Sequence, residues 1–176
     1  MCREKNALTC TAPPDPTRRA WLVAAAAGAL APQTRAAGSS ASITATLLDG
    51  TPFSSEALKG RVLLVNFWAT WCGPCRIEMP ELDRYFRQHR EHGLSVLALS
   101  VDELSEEAQV REVAKPFSFG VAMMKSAWLS GFGRIWRMPV CAVFDREGRL
   151  VRQDWFLQPQ LDAAALDAVI QPLLGA

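Results

Sequence analysis

Apolar runs of strand length alternate along this chain with amphipathic helical stretches, which specifies an α/β domain: a central mixed β-sheet flanked by helices, with an N-terminal β-hairpin extension. Two further features give the sheet its mixed character. The run Val62 to Trp68 is apolar almost throughout, as a strand covered on both faces must be. Nearer the C-terminus, Val140 to Phe144 and Leu150 to Phe156 flank the turn Asp145-Arg146-Glu147-Gly148, so a hairpin joins strands that otherwise alternate with helices. The length, 176 residues, suits one such domain plus a leader.

Residues 1–37 differ in composition from residues 38–176. Arg3, Lys5, Arg18 and Arg19 precede an uncharged stretch, Ala20 to Ala31, followed by small residues to Ser42. Basic, then apolar, then small is the order of a secretory leader. The apolar stretch is too short to cross a bilayer core of about 30 Å comfortably, so a cleaved export signal is expected over a short anchor. Thr17-Arg18-Arg19-Ala20-Trp21-Leu22 is similar to the twin-arginine export consensus; a Sec leader with two adjacent arginines is an equal alternative. Cleavage after Ala36 or Ala37 would remove Cys2 and Cys10 and leave the domain periplasmic or otherwise exported.

The elements then follow in order. Ile43 to Leu48 alternates, and Asp49-Gly50 turns it toward Thr51-Pro52-Phe53, a short hairpin. Ser55 to Leu58 makes one helical turn before the strand Val62 to Trp68. Arg76 to Arg90 is helical, with Leu82, Tyr85, Phe86 and His89 on one face and Pro80 expected to kink it. Leu94 to Val101 is the next strand and ends in Asp102. Ser105 caps a helix running to Lys115, with Glu106 and Glu107 in its first turn. Phe119 to Met124 is expected as an edge strand and Ala127 to Phe132 as a helical turn stopped by Gly133. From Pro159, Leu161, Ala165, Val169 and Leu173 recur every four residues on a terminal helix.

Composition narrows the function. Nineteen basic and 18 acidic residues leave a net charge of +1, which gives no electrostatic footprint for nucleic acid. The chemistry lies in Trp71-Cys72-Gly73-Pro74-Cys75, where a C-x-x-C pair sits between a strand and a helix. A helix that begins at the first cysteine brings the two thiols within reach of one another. Its unpaired amides also stabilise a thiolate, lowering the thiol pKa from about 8.5 toward roughly 7. Cys72 is then the nucleophile toward a partner's disulfide and Cys75, one turn inside, resolves the mixed disulfide. Pro74 stiffens this turn and Gly73 leaves its surface open. Cys2, Cys10 and Cys141 form no second C-x-x-C pair, and His89 and His92 are too few and badly placed, which argues against zinc.

The segment Asn66 to Leu82, which reads Asn-Phe-Trp-Ala-Thr-Trp-Cys-Gly-Pro-Cys-Arg-Ile-Glu-Met-Pro-Glu-Leu, together with Met138-Pro139 before an apolar strand, resembles the exported TlpA/ResA-like thiol:disulfide oxidoreductases of the thioredoxin superfamily. The similarity extends over roughly residues 43–175. It implies a thioredoxin-like fold, no cofactor, and catalysis by Cys72 and Cys75. It further implies that Pro139 is a cis-proline opposite the active site and that the backbone of Met138 pairs with the substrate chain. Asn66 stands where thioredoxin carries a buried aspartate, and Glu78, three residues after Cys75, is the implied replacement. A carboxylate shielded from water has a raised pKa and can act as a general base. The competing reading of Glu78 is a solvated side chain paired with Arg76 or Arg84.

Two more departures are specific to this chain. Cys141 takes a position usually occupied by threonine, where it is either a third redox thiol or, more plainly, a small buried hydrophobe. Arg134-Ile135-Trp136-Arg137 replaces a glycine-containing lead-in, so that Trp71, Trp136 and Met138 would form an apolar rim for a partner, with core burial of Trp136 as the alternative.

The expected function is reduction of disulfides in client proteins, apocytochrome c being the commonest client in the family, with electrons drawn from a membrane donor of the thiol-relay type. Gly-Pro between the cysteines favours a reductant over an oxidase. A peroxidase is disfavoured because the Pro-x-x-x-Thr-x-x-Cys spacing of such sites does not exist here, Thr70 standing only two residues before Cys72. A non-enzymatic holdase is disfavoured by the intact C-x-x-C.

Overall fold

The computed structural model describes residues 41–135, 137–155 and 162–175, all within the unit Ala36–Ala176. The leader, Trp136, Phe156 and the Pro159–Leu161 start assigned to the terminal helix lie outside the described residues.

The N-terminal hairpin consists of β1 (Ser42–Thr46) and β2 (Pro52–Ser54), paired antiparallel with Ala45 opposite Phe53. Asp49 builds its turn by accepting the Thr51 N–H at 2.9 Å, and Gly50 supplies the φ of 89° that the reversal needs. After a 3₁₀ turn at Glu56–Leu58 the chain enters β3 (Val62–Trp68), buried at all of its positions. Next come α1 (Gly73–His89), β4 (Leu94–Ser100), α2 (Glu107–Ala114), β5 (Gly120–Met123) and β6 (Trp128–Ser130). The chain closes with β7 (Val140–Phe144), β8 (Leu150–Trp155) and α3 (Ala163–Leu174).

The main sheet has the order β5-β4-β3-β7-β8. β3, β4 and β5 are parallel, whereas β7 runs antiparallel to β3 and β8 antiparallel to β7. Alternation divides the central strands between two cores. Val62, Leu64 and Trp68 join Val96, Cys141, Val143 and residues of α1, α2 and α3. Leu63, Val65 and Phe67 join Leu99, Ala142 and Phe144 beneath Ile43 of the hairpin. Fully burying side chains such as Trp68, Phe67 and Leu82 contributes about 1.5–3 kcal/mol each.

Four expectations need correction. Ala127 to Phe132 is not a helical turn: Trp128–Ser130 is strand β6, paired with the free edge of β1 with Ile43 opposite Leu129. Pairing that open edge outweighs the weak local helix signal. Ser105 is not a helix N-cap, because a 3₁₀ turn at Leu104–Glu106 comes first and Glu103 takes the cap position. The Glu106 carboxylate reaches back to accept the Glu103 N–H at 3.0 Å, the reciprocal half of a capping box. Pro80 does not interrupt α1, which continues through it to His89 with the ring on the exposed side. On α3 the most buried stripe is Leu166 and Ile170, with Ala165, Val169 and Leu173 at its margins. Tyr85 on α1 ties that helix down by donating its hydroxyl to Asp167 at 2.9 Å.

Arg146, in the β7–β8 turn, joins the distant end of the molecule. Its guanidinium donates to the carbonyls of Gly60 (2.7 Å), His92 (3.2 Å), Leu173 (3.3 Å) and Leu174 (2.7 Å), the last two being the unpaired C-terminal carbonyls of α3. Arg146→Ala is expected to lose about 1–3 kcal/mol in urea denaturation, and Arg146→Lys to recover little, because a point ammonium cannot reach four divergent acceptors. An unchanged midpoint in Arg146→Ala would show the clasp to be energetically idle.

Candidate active site

The site forms where β3 ends. After Trp68 the chain turns through Ala69-Thr70-Trp71, with the Cys72 N–H donating to the Ala69 carbonyl at 3.1 Å, and enters α1. Cys72 is the N-cap, extended at φ −82° and ψ 97°, and its sulfur accepts the Cys75 N–H at 3.3 Å. Pro74 occupies the first helical turn, where its missing N–H is not needed. Cys72 and Cys75 are joined by a disulfide with an S–S distance of 1.99 Å and Cα atoms 5.3 Å apart. Cys75 is 1% exposed and Cys72 7%, so Cys72 is the more accessible sulfur. A side chain added at Gly73 would meet open space, which leaves the approach to the pair clear.

Cys72 borders a groove of about 350 Å³ that it shares with Trp71, Val101, Met124, Ile135, Arg137 and Met138. Trp71 projects from it, 67% exposed. The fold thus brings Met138 to one surface with Trp71 and Cys72, although it lies more than 60 residues further along the chain. The Met138–Pro139 peptide bond is cis and leads directly into β7 beside β3. Trp136, expected on this rim, lies outside the described residues, whereas its neighbours Ile135 and Arg137 line the groove. Sequence reasoning missed Val101 and Met124, which nothing but the close of β4 and β5 brings here. A larger cavity of about 410 Å³ by α2 and β5 shares no lining residue with this groove.

Glu78 is 5% exposed, which removes the reading of it as a solvated helix glutamate. Arg84, one of its suggested partners, pairs with Glu81. On β3, Asn66 is 1% exposed and sits opposite Cys141 of β7, its Nδ2 donating to the Cys141 sulfur at 3.4 Å. The Asn66 Oδ1 has no hydrogen-bond partner among the described residues. Cys141, Cys75, Cys72 and Trp68 belong to one apolar cluster.

Burial pushes the Cys141 thiol up to about 12, against the smaller opposing effect of the Asn66 amide, and the Glu78 carboxylate adds to the rise. Such a thiol stays neutral and is a poor nucleophile, so the geometry places it as packing beside the redox pair. Its folded pKa lies above its unfolded value, so it favours folding below about pH 9, and that contribution is lost as pH rises toward about 12. Comparing Cys141→Ala with the parent, both oxidised, in urea titrations from pH 8 upward should therefore show a shallower alkaline loss in the variant. Identical slopes would mean that Cys141 is not protected as described. The comparison is needed because Tyr85, raised by burial and by Asp167, adds an alkaline loss common to both proteins.

Comparison with known proteins agrees with this geometry. A family model described as Redoxin matches residues 26–159. The thiol-disulfide oxidoreductase ResA of Bacillus cereus is 32% identical over 110 residues, covering 61% of this chain and 62% of that protein. ResA of Bacillus anthracis is 31% identical over the same length and shares. The match thus spans a little under two thirds of these relatives. Among solved structures, a thiol:disulfide interchange protein of the thioredoxin family from Chlorobium tepidum TLS superposes with a TM-score of 0.63 at 25% identity, covering 78% of this chain and 97% of that one. StoA from Bacillus subtilis, at 18% identity and a TM-score of 0.56 over 75% of this chain and 97% of its own, shares the fold. With its redox pair at the head of α1 and a cis-proline entering the adjacent strand, the chain belongs to the Redoxin family, as a TlpA/ResA-like member of the thioredoxin superfamily.

Proposed function

We propose that this protein is an exported thiol:disulfide oxidoreductase that reduces disulfides in client proteins. The observation that carries the reading is the Cys72–Cys75 disulfide at the N-terminus of a 17-residue helix, with Cys72 bordering an open, largely apolar groove. In the reduced protein the Cys72 thiolate attacks one sulfur of a client disulfide, and the departing client thiolate takes up a proton. A mixed disulfide results. Cys75 then loses its proton and attacks the Cys72 sulfur, which expels the second client sulfur as a thiolate and leaves the protein oxidised by two electrons. Glu78, buried one turn beyond Cys75, is suited to receive the Cys75 proton, a task that Asn66 cannot perform.

Trp71, Ile135 and Met138 give the groove an apolar surface for an extended client, with Arg137 at its edge. Apocytochrome c is the client class that the family resemblance suggests, and a membrane thiol relay is the corresponding electron source. Export rests on the basic, apolar and small-residue order of residues 1–37. Gly73-Pro74 between the cysteines supports the reducing direction.

The deciding measurement is the reduction potential of the Cys72–Cys75 pair, equilibrated in dithiothreitol or glutathione buffers. A value near about −270 mV or lower supports a dedicated reductant, and one near about −120 mV reverses the assignment to an oxidase. Cys72→Ser should abolish reduction of a disulfide-bonded haem-attachment peptide, while Cys75→Ser should accumulate the mixed disulfide. Glu78→Gln is expected to slow resolution of that species by about 10²-fold without altering alkylation of Cys72. Unchanged resolution would remove Glu78 from the proton route.

A further inference from the structure

Asp102 is one of the most deeply buried carboxylates described, 1% exposed, and no step of the exchange chemistry uses it. Among the described residues it makes no ion pair. Its Oδ1 accepts the Thr70 hydroxyl at 2.7 Å, and its Oδ2 accepts the Thr70 N–H at 3.0 Å and the Ser100 hydroxyl at 2.6 Å. Its own N–H donates to the Ser100 hydroxyl oxygen at 3.1 Å. Burying a carboxylate without a cation is costly, so a side chain kept there by three neutral donors has a reason beyond filling space.

Its position supplies that reason. The β3–β4 ladder ends with Trp68 opposite Ser100, and the Val101 N–H extends it to the Trp68 carbonyl at 2.9 Å. Asp102 then carries the pairing past the strand ends to Thr70, two residues before Cys72. Thr70 is gripped through both its backbone N–H and its hydroxyl, which leaves the Trp71-Cys72 turn little freedom to swing. That turn carries the Cys72 sulfur, which is bonded to Cys75 and accepts the Cys75 N–H at 3.3 Å.

We infer that Asp102 is a positioning residue for the nucleophile, holding Thr70 so that the Cys75 N–H in the first turn of α1 stays aimed at the Cys72 sulfur once the pair is reduced. The acceptor geometry is the operative property, not the negative charge. Asparagine can keep it, because its Oδ1 can accept from Thr70 while its amide donates to the Ser100 hydroxyl oxygen. Alanine cannot. Thr70→Val removes one grip and leaves every charge around Cys72 in place: Arg137 across the groove, Arg76 and Glu78 on α1, and Asp102 itself.

The test is the pH midpoint for alkylation of Cys72 in the reduced full chain, with circular dichroism recorded on the same samples. Asp102→Ala should raise the midpoint by about one pH unit, as thiolate stabilisation by the helix terminus weakens. Thr70→Val should raise it by less, and Asp102→Asn should leave it near the parent value. If Asp102→Ala does not fold, Thr70→Val and Asp102→Asn carry the comparison. The inference is overturned if Asp102→Asn shifts the midpoint in either direction as far as Asp102→Ala does, or if Thr70→Val leaves it unmoved. It rests on Cys72 as nucleophile under the proposed function, yet the two fail separately. An ordinary thiol midpoint of about 8.5 in the parent counts against that function, whereas differences among the variants decide the role of Asp102.

Discussion

The chemistry of this molecule depends on β3 being hydrogen-bonded on both edges and buried on both faces. Such a strand has almost no freedom of position, and the four residues between its C-terminal end and α1 inherit that rigidity. They reach α1 with Cys72 as the capping residue, so the Cys75 N–H in the first turn of the helix donates to its sulfur. On the other edge of β3, the antiparallel β7 begins at the same end of the sheet, and the cis Met138–Pro139 bond enters there. One strand therefore sets both the redox pair and the surface facing it.

The two cores serve this arrangement unequally. On one face Cys75, Glu78, Met79 and Cys141 are all buried, producing a dry environment beneath the disulfide in which the Glu78 carboxylate acts on the neutral Cys141 thiol. The other face is closed by the small sheet β2-β1-β6, which contributes no reactive group and secures the central strands through Ile43 and Phe53. Polar pairings at the strand ends finish the frame: Asp102 at the catalytic end, Arg146 at the opposite one. Each uses one ionic side chain to gather several neutral partners, which fixes backbone geometry better than an exposed ion pair between flexible side chains would.

Much of the fold was legible because its signals are local. The uninterrupted apolar run of β3, the Asp49-Gly50 turn and the period of α1 each follow from a handful of neighbouring residues, and all three are present. The errors fell where the deciding partner is remote. β6 looked helical in isolation and is a strand because β1 offers it an open edge some 80 residues earlier in the chain. Ser105 looked like a cap until Glu103 and Glu106 closed their own reciprocal turn. In the site, Trp71, Cys72 and Cys75 were visible as a motif, whereas Val101 and Met124 carry no signal of their own.

The sequence by itself determined where the disulfide pair sits and which cysteine is the more exposed: a C-x-x-C pair must sit at a tight turn, and a strand before it with a helix after it makes Cys72 the outer end and Cys75 the inner one. It also showed that β3 is apolar on both faces and which face of α1 is apolar, since period and hydrophobicity are properties of contiguous residues. Only the tertiary structure decided which distant groups surround that pair. The burial of Glu78, the Asn66–Cys141 contact, the grip of Asp102 on Thr70 and the groove shared by Trp71 and Met138 all join segments that are far apart in the chain. Their geometry is set by strand register and helix packing, which no local pattern of residues encodes.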